Sequence, residues 1–351
     1  MKHYNKYTLL LFFILLIFTQ SAYSKEFQYS YIVKNPPISK NRYIFNINGV
    51  SAQIPYSSNM PLNSKNLKVT KLLLAIHSSN FNADMYLKNS LDLAKKMGKQ
   101  DSTMVLAPQF LITSLLDKRV KRDFLYWEVP PFRASSKALY KNRKVQVSAY
   151  EILDDIVKKI SFSGNFPNLK EIVVFGHSAG GQMVNRYAAY SNIVTSNIKI
   201  RYVVMAPSSY VYFNKQRYVK NSHYNFFIPK IPTKKYNRWG YGTERLYSVH
   251  KRNHVTAKAM EQQYRNAHVS YMVGSRDNNV NDSSLAKGLA AMLQGKHRLD
   301  RAIIYHKYLQ IYFSRDIVKQ HKLYIVDGVG HSSKGLMNSK KGYEVFFNKI
   351  F

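Results

Sequence analysis

Apolar residues recur along the chain in short runs, each followed by a stretch with helical spacing. The runs are 71–76 (KLLLAI), 103–107 (TMVLA, stopped by Pro108), 171–175 (EIVVF), 200–205 (IRYVVM), 269–273 (VSYMV) and 322–326 (KLYIV). Between them, Ile152, Leu153, Ile156, Val157 and Ile160 mark one helical stripe, and Ile303, Ile304, Lys307, Tyr308, Ile311 and Tyr312 mark another. Near-continuous apolar strands alternating with amphipathic helices predict an α/β protein, its mostly parallel, doubly wound sheet covered on both faces. Residues 27–60 read as antiparallel leading strands. No internal repeat and no low-complexity linker interrupts the pattern.

Residues 208–254 break the rhythm. They hold ten Lys/Arg, one Glu and eleven aromatics, with Pro229 and Pro232 and no clean periodicity. Lying between two strands, they predict a lid-like insertion, about 208–260, over the C-terminal edge of the sheet. Basic residues interleaved with aromatics also describe a nucleic-acid groove, a reading set aside because the N-terminus points to export.

Residues 1–24 have Lys2 and Lys6, an apolar stretch from Leu9 to Phe18, and the small-residue pattern Ala22-Tyr23-Ser24. That order is the pattern of a cleaved secretory signal, and the run is shorter than the roughly 20 apolar residues of a membrane span. The expectation is cleavage near Ser24, a single domain over 25–351, and a periplasmic or secreted protein with no membrane span after cleavage. The 53 Lys+Arg and 19 Asp+Glu leave a formal charge of +34. Outside the cytoplasm this predicts weak association with anionic envelope surfaces and no nucleic-acid partner. There is no cysteine among the 351 residues, which excludes disulfide scaffolds, thiolate metal sites and cysteine nucleophiles.

The informative line is 171–182, EIVVFGHSAGGQ, which leads into the helical sequence MVNRYAA. An apolar strand running into G-x-S-x-G and then a helix is the context of a nucleophile elbow, with Ser178 on a strained strand-to-helix turn. A neutral hydroxyl needs a base, and the base needs an orienting group. Of the later histidines, His254, His268 and His321 precede or begin strands, and His297 and His306 lie in helical stretches. His331 follows the last strand on a glycine-rich turn and is the candidate base. Of the carboxylates between Ser178 and His331, Asp277 lies just past the end of strand 269–273 and is the candidate acid, with Asp282 and Asp327 as alternatives. The amide after the nucleophile, Ala179, supplies one oxyanion donor. Ser79, on the loop after strand 71–76, is the candidate second, with Ser78 next.

At these residues the chain resembles the α/β-hydrolase fold superfamily, and within it a group of exported bacterial and fungal serine hydrolases of poorly defined substrate. The resemblance runs from about Leu72 to the C-terminus. It includes His77, Asn82-Ala83-Asp84, Ala107-Pro108-Gln109, 166–170, GHSAGGQ at 176–182, Arg186-Tyr187-Ala188, 206–210, 236–239, Gln294-Gly295 and Gly328-Val-Gly-His331. It implies Ser178 as nucleophile, Asp277 as acid and His331 as base. Ser78 stands where such enzymes often have glycine. Relatives also tend to carry cysteines near Tyr236 and near 282–284; both are absent here, which leads to the expectation of a looser insertion.

The expected activity is cleavage of a small-molecule or lipid-like carboxylic ester, with no cofactor and no metal. Amide or peptide hydrolysis is the alternative within the fold, and a basic binding protein on a hydrolase scaffold the alternative outside it. His250 and His254 have helical ligand spacing, but Lys251, Arg252 and Asn253 between them read as basic surface. Asp277-x-Asn279-x-Asn281 begins like a calcium loop but has Asp282 where the central glycine belongs and Gly288 where the bidentate glutamate belongs.

Overall fold

A computed structural model describes residues 37–348 apart from 114–115, 117–119, 129–130, 196, 219–224 and 232–234. The signal-like segment 1–24, residues 25–36 and Pro232 of the insertion lie outside the described residues. Each apolar run becomes a strand, and each striped stretch a helix. In chain order these are β1 (Asn41–Ile47), β2 (Val50–Ser58), β3 (Lys71–Ile76), α1 (Ala83–Lys96), β4 (Thr103–Pro108), α2 (Ala149–Phe162), β5 (Glu171–His177) and α3 (Ala179–Tyr190). There follow β6 (Lys199–Met205), α4 (Ala257–Asn266), β7 (His268–Gly274), α5 (Arg298–Tyr312), β8 (His321–Val326) and α6 (Lys340–Phe347). Pro108, expected to stop its strand, is the last residue in it.

The eight strands form one sheet in the order β1-β2-β4-β3-β5-β6-β7-β8. β2 is antiparallel to both neighbours, and all the other pairs are parallel. The central strands are buried on both faces, as in LLLAI of β3 and IVVFGH of β5, so helices must cover both sides. β1 instead alternates: Tyr43 and Phe45 point inward while Ile44 faces solvent. Local chemistry sets the helix starts. The Asn82 side chain accepts from the Met85 amide at 2.9 Å, and Ser148 and Glu151 form a reciprocal capping box on α2.

Between β3 and β5 the chain leaves in one direction to build β4 and returns on the other side of β3. Such a reversal opens a crevice beyond the carboxyl ends of the two strands. The loops after β3 and β5 therefore meet where an open α/β sheet binds ligands.

The 208–254 stretch contains two paired two-residue strands, Arg217–Tyr218 and Phe226–Phe227, and a short helix, Ser248–Arg252. Its first residues are core: Tyr210, Val211 and Tyr212 are buried. Buried guanidinium groups hold its main chain. Arg186 of α3 donates to Gly240 O and Ser209 Oγ. Arg217 donates to the carbonyls of Asn214, Gln216 and Tyr241 and to Asn237 Oδ1. Arg301 of α5 donates to Ser208 O at 2.5 Å, Ala286 O at 2.8 Å and Gly295 O at 2.8 Å. Gln294 adds a two-way bond with the Tyr210 backbone. The described part of the segment is thus tied to the 284–295 stretch without cysteine. His250, expected on a basic surface, is buried against Trp239 and Tyr190. Among the described residues no helix is long and apolar enough to cross a membrane.

Candidate active site

Ser178 stands between β5 and α3 with φ 55° and ψ −113°, a region that residues with a Cβ rarely adopt. The turn is held on all sides. The Ser178 amide donates to Met205 O at 2.9 Å, and its carbonyl accepts from the Gln182 amide at 2.9 Å. A Cβ on Gly180 would run into the carbonyl oxygens of Ile76 and His77, so α3 packs directly against the end of β3 because Gly180 has no side chain. This close approach brings the 77–80 loop beside the elbow. Ala179 is the first residue of α3, where amides have no intrahelical partner.

His77 sets the shape of that loop. It is fully buried; Nε2 accepts from the Phe110 amide at 2.9 Å, so Nδ1 carries the proton and donates to Ser78 O at 2.8 Å. Burial pulls its pKa down to about 4, against the Ser78 carbonyl bond, which favours the charged form. Ser78 Oγ donates to Asn80 Oδ1 at 2.9 Å. Ser79 follows at the turn, two residues beyond His77, whose carbonyl rests on Gly180.

At the other strand ends, His331 Nδ1 lies 2.7 Å from Asp277 Oδ2. Asp277 is 4% exposed. The loops bearing the two residues pack backbone to backbone: Ser275 N donates to Val326 O and Arg276 N to Val329 O, both at 2.9 Å. A Cβ on Gly274 would strike Val329 O, so this glycine permits the approach. The other face of the His331 ring system meets the elbow, for its centroid is 4.3 Å from that of His177, the residue before Ser178. His177 is buried, with Nε2 unpartnered among the described residues. Burial first, then the charges of His331 and Arg298, hold its pKa well below the usual histidine value.

The alternative acids are engaged elsewhere. Asp327 accepts from Ser275 Oγ at 3.0 Å. Asp282 pairs with Arg298 at 3.1 Å and accepts from the Ser284 amide and hydroxyl, both at 2.7 Å. Burial raises its pKa, but Ser284 and Arg298 outweigh that and draw it down to about 2. The sequence reading missed Arg298, fully buried on α5. Its Nη1 lies 3.4 Å from Asp277 Oδ1, and Nη2 donates to Ser284 Oγ at 2.8 Å. It also passed over the polar side of α3. Every residue of that helix is buried, yet Asn185 Oδ1 accepts from the Val211 amide and Gln182 Oε1 from Ser209 Oγ. Polar residues in an otherwise buried helix were the available signal, and they tie Ser209 and Val211 to α3.

No family model matches the chain, and no curated protein does. Among solved structures it is similar to LpqC, a poly(3-hydroxybutyrate) depolymerase from Bordetella parapertussis. The identity is 15%, with 90% of this chain and 92% of that chain covered and a TM-score of 0.58. It is also similar to poly(aspartic acid) hydrolase-1 from Sphingomonas sp. KT-1, at 18% identity, 86% and 96% coverage and a TM-score of 0.50. At these identities the likeness is one of fold, and with the strand order and the glycine-packed elbow it gives the chain the α/β-hydrolase fold.

Proposed function

We propose that this protein is an exported serine hydrolase that cleaves carboxylic esters through an acyl-enzyme on Ser178. The observation that carries the proposal is the 2.7 Å contact of His331 Nδ1 with Asp277, on a ring packed against the residue preceding the strained serine. With Asp277 holding the Nδ1 proton, His331 Nε2 is free to act as base. It takes the Ser178 proton as Oγ bonds to the ester carbonyl carbon, and the oxyanion is met by the Ala179 and Ser79 amides. The imidazolium then gives that proton to the departing alkoxide oxygen, and an alcohol leaves. Water repeats the sequence on the acyl-enzyme and releases the acid.

The polyester named for one fold neighbour is in keeping with an ester substrate. The aromatic and basic 208–254 segment beside α3 favours a substrate with apolar and anionic parts. A fluorophosphonate probe should label the purified protein, and Ser178→Ala should abolish both the label and p-nitrophenyl ester cleavage. A folded sample that takes no label would reject the proposal in favour of a non-catalytic binding protein. Aminoacyl anilides in the same panel separate an ester hydrolase from an amidase.

A further inference from the structure

The C-terminal halves of β6, β7 and β8 are apolar on both faces, as a covered sheet requires. Their N-terminal halves are not. Lys199 and Arg201 of β6, His268 and Ser270 of β7, and Lys322 of β8 occupy alternate positions. The register pairs Arg201 with His268 and Ser270 with Lys322, so all five side chains belong to one face. This edge of the sheet is opposite the candidate active site. A cavity of about 330 Å³ opens there, with Lys319 on its rim and Glu344 and Val345 of α6 as another wall.

Arg201 is the buried base of the cavity, 9% exposed. Nε donates to Glu171 Oε1 at 2.5 Å, and Nη1 donates to Val345 O at 2.9 Å. Nη2 is buried and has no partner among the described residues. An unpaired N–H on a buried cation is costly enough to need an explanation. Glu171 is shared with Lys71, 2.6 Å away, so a single carboxylate answers two cations. The lining carboxylate, Glu344, accepts from Tyr324 OH, and Lys199, Lys319 and Lys322 line the cavity with no carboxylate bonded to Lys199 or Lys322 among the described residues. His268 reports the excess: burial first, then the charges of Lys199 and Arg201, lower its pKa.

We propose that this cavity binds a phosphoryl-type oxyanion, with Arg201 at its base and Lys199 and Lys322 supplying the charge. A guanidinium suits a phosphate oxygen pair, and the flanking ammonium groups match a dianion better than a single carboxylate. Ser270 and Tyr324 add hydroxyl groups to the lining. A free phosphate ester and a phospholipid headgroup present the same chemistry.

The test is calorimetric titration of the purified protein with inorganic phosphate at low ionic strength, beside K199Q/K322Q and the control K88Q/K95Q. Both substituted cavity lysines are exposed, and thermal melts check that the variants fold. Saturable single-site binding is expected, weakened at least tenfold in K199Q/K322Q and unchanged in the control. Co-sedimentation with phosphatidylglycerol vesicles then distinguishes the sources. Retention that free phosphate displaces and K199Q/K322Q loses assigns a headgroup; phosphate binding without retention assigns a free phosphate ester. Absence of saturable phosphate binding, or full binding by K199Q/K322Q, overturns the proposal; vesicle retention that the double variant keeps belongs to the general surplus of surface charge and assigns the cavity to a free phosphate ester. None of these measurements involves Ser178, so their failure would leave the hydrolase reading intact.

Discussion

At Ser178 the backbone is held where a Cβ is unwelcome, φ 55° and ψ −113°, and such a residue costs on the order of 1–3 kcal/mol. Ser178→Gly should therefore raise the melting temperature by a degree or two while removing hydrolysis, whereas Ser178→Ala keeps the Cβ and should show no such rise. Equal melting temperatures for the two variants in calorimetry would mean the turn stores no strain. Asp277→Asn tests the other end of the site. It retains an acceptor but no charge to stabilise the imidazolium, and a loss in kcat of about 10⁴ with little change in KM is expected from the behaviour of such triads. A loss below tenfold would point to Asp282 or Asp327 as the acid. Position relative to strand ends picked Asp277 and His331 as candidates, and the fold brings the two side chains within 2.7 Å of each other. Arg298 was not legible: it is an arginine in a helical stretch rich in cations, and only the folded path brings it to Asp277.

Elements were legible where their periodicity was long enough. Six apolar runs and two striped stretches became strands and helices because burial on one or two faces writes a repeat into the residues. The four-stranded sheet of Leu111–Ile112, Tyr126–Trp127, Lys137–Tyr140 and Arg143–Ser148 left no such mark, for pairs of two to six residues with mixed exposure carry little period. Residues 208–254 stood out by their lack of pattern, but what holds their described part was hidden. Arginine usually signals surface, and here Arg186, Arg217 and Arg301 are buried among carbonyl groups. Burial, with the charge of Arg298 next, lowers the Arg301 pKa to about 10, so it stays charged at neutral pH. Arg301→Met leaves the carbonyls of Ser208, Ala286 and Gly295 without their donor. With each buried acceptor worth about 1–3 kcal/mol, a loss on the order of 3 kcal/mol is expected in denaturant melts, with proteolytic nicking appearing first within 208–241. Nicking at the wild-type rate would show that the guanidinium does not hold the segment.

For the molecule as a whole, the basic surface and the buried imidazoles respond differently to acid. His77, His250 and His321 are held at about 4 by burial, and burial also holds His177 well below the usual histidine value. At His321 burial outweighs a bond that favours the charged form: Nε2 donates to Tyr264 O at 2.8 Å, and in the neutral ring Nδ1 accepts from Tyr271 OH at 2.8 Å. In the unfolded chain these groups titrate near 6.5. Between pH 6.5 and about 4 the unfolded state therefore takes up as many as four protons that the native state refuses, and stability falls as pH drops through that window. Each such proton contributes about 1.4 kcal/mol per pH unit. Asp154 works the other way. Burial, opposed by bonds from Tyr187 and Ser191, raises its pKa to about 6, so its contribution is present below 3.8 and lost as pH rises through about 6. One group against four leaves the histidines in control. Repulsion among the surplus cations also grows in acid, but salt screens it and does not screen proton uptake by the unfolded chain. Urea midpoints measured in high salt should thus still fall steeply from pH 6.5 to 4.5; a flat profile would mean that these imidazoles are charged or exposed in the folded protein.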